Sequence, residues 1–306
     1  MFSRQQLVMS LAFLSLTAPV SAASVYVLAL DLATNDQQFG TVDLGSGVFQ
    51  GIRTSADQEY RGLVPASNGS LLTLGFDGNL SSITPATGLV TVIGPTGMSN
   101  CSTPTSPCGP NSAGVLAALG ATLYATDFSQ NLYRVNPATG AATLIGATGM
   151  PVVPFPSHFT SNSDGTANVM SATLFAANGN LYATFDTDRL DPATGQLTIG
   201  IPNSLYQINP ETAAATRLAP TVEAITAVTQ SNGTSYAFDV ATGQLLTLNL
   251  ANGQTTFVTD VNPTALAPWY VEGATPVPEP VSLPLVAVGI AGVMVCTLRR
   301  RAQRLA

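Results

Sequence analysis

Residues able to do chemistry are few. The 306-residue chain has one histidine, His158, and three cysteines, Cys101, Cys108 and Cys296. A Ser-His-Asp nucleophile system would have to use that histidine. It stands in the Pro- and Ser-rich stretch 147–168, and no Gly-x-Ser-x-Gly frames a serine in a strand-to-helix turn. A metal held by several histidines is excluded by count. Cys101 and Cys108 bracket a short Ser/Thr/Pro loop. In an oxidising compartment they suit a disulfide closing a small ring, of modest stabilising effect. Without a nearby His or further Cys they fall short of a zinc site. Asp186, Asp188 and Asp191 gather three carboxylates around Arg189. Such oxygens suit Ca2+. The segment lacks the glycine and terminal glutamate of an EF-hand loop, however, and a solvated turn is the simpler reading. No P-loop or dinucleotide fingerprint stands in a strand-to-helix context. The expectation is no catalytic residue and no cofactor, with calcium at the three aspartates as the one candidate.

The elements that would position these residues are degenerate repeats. The clearest copy reads Leu123–Asp127, Asn131–Val135, then Asn136-Pro137-Ala138-Thr139-Gly140 and Ala141–Gly146. Related copies follow Leu72, Leu181 and Tyr236, and a weaker one starts at Val25. Each apolar piece is four to six residues long with partial alternation, which reads as a strand. Asn-Pro-Ala-Thr-Gly reads as a turn, with proline presetting φ and glycine taking the left-handed conformation. A further apolar piece precedes each later copy: Gly62–Pro65, Val115–Leu119, Val169–Phe175 and Ile225–Val228. Turn positions fall at 47, 88, 140, 213 and 253. A basic period near forty residues, stretched by insertions, suits a four-stranded propeller blade.

The fold class expected is therefore all-β: a β-propeller of about five four-stranded blades over residues 24–272. Ala265–Val271 is expected to pair with the N-terminal blade and close the ring. Tandem β-sandwiches are the rival, disfavoured because the spacing is regular and no shift of composition marks a boundary. Tyr124, Tyr133, Tyr182, Tyr206 and Tyr236 are expected to pack between blades. Binding is expected on the insertions Gly94–Gly114, Ala147–Asn168 and Thr187–Asn203, as long loops on a rigid scaffold.

Charge narrows the partners. Only 9% of residues are charged, and all ten basic residues are arginines. Residues 24–276 hold five arginines and sixteen carboxylates, a formal charge of −11. Such a body is repelled by nucleic acid, which is excluded as a partner.

The two ends read as addresses. Residues 1–23 have one arginine, an apolar run Leu7–Leu16 and small residues at Val20-Ser21-Ala22, the pattern of a signal peptide cut by signal peptidase after Ala22 or Ala23. At the other end, 273–280 is a Pro-rich linker ending in Pro278-Glu279-Pro280. Residues 281–298 are 18 uncharged residues, long enough for a transmembrane helix, and Arg299, Arg300, Arg301 and Arg304 follow in a cytoplasmic tail 299–306. Pro-Glu-Pro, one hydrophobic span and an arginine cluster, in that order over about the last 30 residues, resemble the PEP-CTERM sorting signal. That resemblance implies recognition of Pro278, Glu279 and Pro280 by exosortase, a membrane protease-transpeptidase, in a Gram-negative bacterium that makes extracellular polysaccharide.

The functional expectation is an exported, surface- or matrix-associated, non-enzymatic interaction module linked to exopolysaccharide or the cell envelope. Two alternatives are a secreted propeller hydrolase or lyase acting on polysaccharide with acids alone, and an uncleaved membrane-anchored periplasmic binding protein.

Overall fold

The computed structural model describes residues 23–31, 36–55, 59–98, 113–151, 167–191, 196–221, 223–239, 242–261 and 269–278. These residues form twenty strands and no helix. Blade 1 contains β1 (Ser24–Asp31), β2 (Asp36–Asp43) and β3 (Phe49–Ser55). Blade 2 is β4 (Tyr60–Pro65), β5 (Leu71–Gly75), β6 (Asn79–Thr84) and β7 (Leu89–Pro95). Blade 3 is β8 (Ala113–Leu119), β9 (Thr122–Asp127), β10 (Asn131–Val135) and β11 (Ala142–Ala147). Blade 4 is β12 (Ala167–Ala177), β13 (Asn180–Asp191), β14 (Gln196–Ile208) and β15 (Ala215–Pro220). Blade 5 is β16 (Ile225–Ser231), β17 (Thr234–Asp239), β18 (Gln244–Leu248) and β19 (Thr255–Asp260). The last strand, β20 (Trp269–Pro276), returns to blade 1 and gives it the order β20-β1-β2-β3. The inner strands β20, β4, β8, β12 and β16 touch in turn around the axis. The five sheets therefore form a closed ring, a five-bladed β-propeller, and not a pair of sandwiches.

Two boundaries differ from the sequence reading. Residues 273–276, expected as linker, are the second half of the closing strand. Gly273, Ala274, Thr275 and Pro276 find partners at Leu28, Val27, Tyr26 and Val25 of β1. Thr187–Asn203, expected as an inserted loop, is mostly strand. Thr187 pairs with Ile201, Asp188 with Ile199 and Leu190 with Leu197, which lengthens the β13–β14 hairpin.

The repeated turns work as their residues suggest. Asn136 Oδ1 accepts the Ala138 amide at 2.9 Å, Asn209 Oδ1 that of Glu211 at 2.9 Å, and Asn249 Oδ1 that of Ala251 at 2.9 Å. The amide four residues on then donates to the first carbonyl, as from Gly140 to Asn136 at 2.8 Å. This geometry needs a left-handed residue at the last position. Four blades use glycine there and blade 4 uses Ala213, at φ 66°. Gly146 of blade 3 faces this alanine: a Cβ added at Gly146 would come 3.5 Å from the Ala213 Cβ.

Every blade boundary holds one cluster of buried apolar side chains. Tyr124, Tyr182 and Tyr206 lie in these clusters, with Tyr133 and Tyr236 packed against them. Each outer strand has a bulge at the same register, at Ile52, Ile93, Ile145, Leu218 and Val258. The bulge packs Ile93, Ile145 and Val258 against the inter-blade cores and breaks the regular edge that another chain could extend.

Candidate functional site

The ring has two chemically different ends. At the turn end, inner strands pass to their neighbours through Ala66–Ser70, Gly120-Ala121, Asn178-Gly179 and Asn232-Gly233, while the outer Asn-Pro-Ala-Thr-Gly-type turns pack sideways on the preceding blade, as where the Ala142 amide donates to the Thr96 carbonyl and that of Ala215 to Thr148, both at 2.9 Å. At the opposite end each blade hands over to the next, through residues 56–59, 96–112, 148–166, 221–224 and 261–268. The extended β13–β14 hairpin points to this connection end as well. The three expected binding insertions therefore share one end of the ring.

A channel of about 300 Å³ runs down the axis. Its lining is apolar from Leu63, Leu116 and Leu174, with Thr173, Thr229, Gln230, Glu272 and Thr275 as polar exceptions. The size is at the lower limit for small-molecule sites, roughly 300–1,000 Å³.

Glu272 is the one titratable group on that lining, and its side chain is 1% exposed. It interrupts β20 at a bulge, opposite the Leu28/Ala29 junction of β1. Gln37 of β2 donates its amide to Glu272 Oε2 at 2.5 Å and to the Tyr60 carbonyl at 2.7 Å. The Gln37 carbonyl accepts the Tyr60 amide at 2.9 Å. Arg61 of β4 sets Nε 3.2 Å from Glu272 Oε1 and Nη2 3.1 Å from Glu59 Oε1. Its guanidinium lies 4.6 Å from the centre of the Phe76 ring and 5.8 Å from that of Phe128. Burial pushes the Glu272 pKa well above 4.5, helped by the charge of Glu59 and opposed by that of Arg61. The arrangement is a clasp. It ties the closing strand of blade 1 to the inner strand of blade 2, and it uses the polar atoms of Gln37 in doing so.

Other carboxylates at this end build turns. Asp77 accepts the Asn79 amide and side chain at 3.0 and 2.7 Å. Asp127 accepts Asn131 twice at 2.8 Å and the Tyr133 hydroxyl at 2.8 Å. Burial and that bond push the Tyr133 pKa up to about 12. Among the described residues, no three His, Cys, Asp or Glu side chains are placed to share a metal ion.

Pro278 is described and exposed, just after the closing strand. Asp186, Asp188 and Asp191 lie along β13, opposite Ser171 and Val169 of β12 and Gln196 of β14, respectively. A strand and not a turn carries them, and their side chains lie outside the described residues. Cys101, Cys108, His158, Glu279, Pro280, Arg299, Arg300, Arg301 and Arg304 also lie outside the described residues, as do residues 1–22 and the apolar run 281–298. No helix among the described residues is long and apolar enough to cross a membrane. Glu211 is in the outer turn of blade 4, 3.6 Å from Arg134 of blade 3. Glu223 accepts the Thr255 hydroxyl at 2.7 Å.

The sequence reading missed the clasp. A faint signal existed: Glu272 and Arg61 are opposite charges within short apolar pieces that the repeat pattern assigns to inner strands.

No protein-family model matches the sequence, and no curated protein matches it. Among solved structures, a nidogen/laminin complex chain is similar at 13% identity and TM-score 0.45, over 82% of this chain and 97% of that one. A Bacteroides thetaiotaomicron protein of unknown function is similar at 17% identity and TM-score 0.47, over 76% of this chain and 54% of that one. A calcium-binding protein, regucalcin, from Agrobacterium tumefaciens is similar at 17% identity and TM-score 0.34, over 64% of this chain and 56% of that one. The chain thus spans little more than half the length of the last two.

Proposed function

We propose that this five-bladed propeller is an exported, surface- or matrix-associated interaction module without catalytic activity. A signal peptide takes it across the inner membrane, and a tail that resembles the PEP-CTERM signal directs it to the surface. One observation carries the interaction reading: the connections between blades gather at one end of a closed ring whose other turns are short. Such an end is a display surface on a rigid scaffold. The described acids also support a non-enzymatic reading, since Glu272, the one on the channel lining, is engaged between two blades. The partner class is an envelope component or the producer's own exopolysaccharide.

The test is retention of the purified domain on that polysaccharide, beside a variant whose residues 152–166 are replaced by a Gly/Ser linker. Retention that the replacement weakens supports the reading. Absence of retention by the unmodified domain removes the polysaccharide partner, and breakdown of the polymer would mean an enzyme. Mass spectrometry of the mature chain distinguishes a cut tail from an uncleaved anchor.

A further inference from the structure

The first strand of the ring, β1, begins and the last, β20, ends at its turn end. In blades 2–5 a hairpin turn joins the inner strand to its neighbour. In blade 1 the corresponding place is taken by the two chain ends, where the Val277 amide donates to the Ser24 carbonyl at 3.1 Å. The fold is therefore ordered up to Val277. Only Pro278-Glu279-Pro280 separates it from the apolar run that begins at Val281.

That tether is short. Four residue steps from Val277 to Val281 reach about 14 Å at full extension. The headgroup layer on one side of a bilayer takes about 5–8 Å of this. The remaining gap is smaller than the spacing of two packed sheets, about 10 Å. Two prolines stiffen the segment further.

Charge points the same way. The four inner turns at this end, Ala66–Ser70, Gly120-Ala121, Asn178-Gly179 and Asn232-Gly233, contain no carboxylate. Asp43, just before the first outer turn, is engaged by the Gly45 and Ser46 amides and the Ser46 hydroxyl. The connection end is bordered by Asp31, Asp36, Glu59, Asp77, Asp127 and Asp239. Anionic phospholipid repels the acidic end far more than the other.

We infer that, while the tail remains uncut, its three-residue tether holds the turn end of the ring against the lipid headgroups and points the connection end away from the membrane. This rests on the reading of 281–298 as a membrane span. It gives the anchored precursor one orientation: the end proposed to bind partners is the free one.

The experiment uses the full chain in vesicles of phosphatidylethanolamine and phosphatidylglycerol. Photoreactive benzoylphenylalanine is placed singly at Ser67 or Ala121 of the turn end, or at Asp77 or Thr242 of the connection end. Lipid adducts at Ser67 and Ala121, with background labelling at Asp77 and Thr242, are the expected result. Equal labelling at both ends of a protein that floats with the vesicles overturns the orientation and leaves the anchor standing. Failure to float overturns both. A Gly/Ser insertion of about 20 residues after Pro278, with a root-mean-square reach of about 25 Å, is expected to lose the adducts at Ser67 and Ala121 without loss of flotation. Unchanged adducts there would mean that the tether does not set the contact.

Discussion

The seam between blades 1 and 2 and the seam between blades 3 and 4 are built differently. The 3/4 seam buries thirteen apolar residues, from Val115 to Ala213, including Phe128, Phe185 and Met150. The 1/2 seam buries six: Leu28, Phe39, Tyr60, Leu63, Leu71 and Ile83. It also leaves a cavity of about 150 Å³ beside Gln37, Phe39 and Tyr60. At the 3/4 seam, Thr148 donates its hydroxyl and its amide to the Gln130 carbonyl within blade 3, and Met150 enters the core. The 1/2 seam is instead crossed by the Glu272–Gln37–Arg61 clasp. A blade assembled from both chain ends has no hairpin to hold its inner strand, and here directional polar contacts add to a smaller apolar core.

The sharpest way to break this comparison is Arg61→Ala. Removing one partner of a buried ion pair costs about 3–5 kcal/mol, and the stacking on Phe76 is lost as well. Chemical unfolding should show that loss; a change under about 1 kcal/mol, the range of exposed ion pairs, would mean the seam does not depend on charge. Next is Gln37→Leu, which strands the backbone groups of Tyr60 and one oxygen of Glu272. Its expected cost is about 2–3 kcal/mol. In the 3/4 seam, Thr148→Val should cost only about 1 kcal/mol, because the amide of residue 148 keeps its bond.

A pH series sharpens the role of Glu272. Its pKa is raised in the fold, so the folded protein binds more protons than the unfolded chain at pH values above about 4.5. Its contribution to stability is greatest at acid pH and falls as pH rises from 4.5 through the folded value. Thermal unfolding of the wild type and Glu272→Gln across that range should converge at the acid end and diverge upward, with the variant losing less. Parallel curves would show that Glu272 does not titrate between the two states. The smallest effect lies at the 3/4 seam. Ala213→Gly should raise stability by about 0.5 kcal/mol, because relief of the left-handed alanine outweighs the entropy of glycine.

Much of the architecture was legible along the chain, and the reason is local. Asn136, Pro137 and Gly140 dictate their turn through their own side-chain acceptor and permitted φ, with no help from distant residues. The repeat then counts the blades, because each copy yields one meander that needs a neighbour to cover it. Local reading failed where strand and turn residues mix. Thr187–Asn203 has a second Pro-Ala-Thr-Gly and three aspartates, which suggest a loop, yet cross-strand pairing of Leu190 with Leu197 and of Thr187 with Ile201 extends the hairpin. Gly273–Pro276 looked like linker because prolines follow, yet an open inner edge of blade 1 was available to pair with it.

Composition and order alone therefore determined a closed all-β repeat body with an acidic balance between two address-like ends, since turn chemistry, alternation and charge are carried by neighbouring residues. Only the folded ring decided which end faces which way and how its first and last strands are held. Glu272 meets Gln37 across 235 positions of sequence. A contact of that separation depends on where five blades bring the chain back, and no local pattern encodes it.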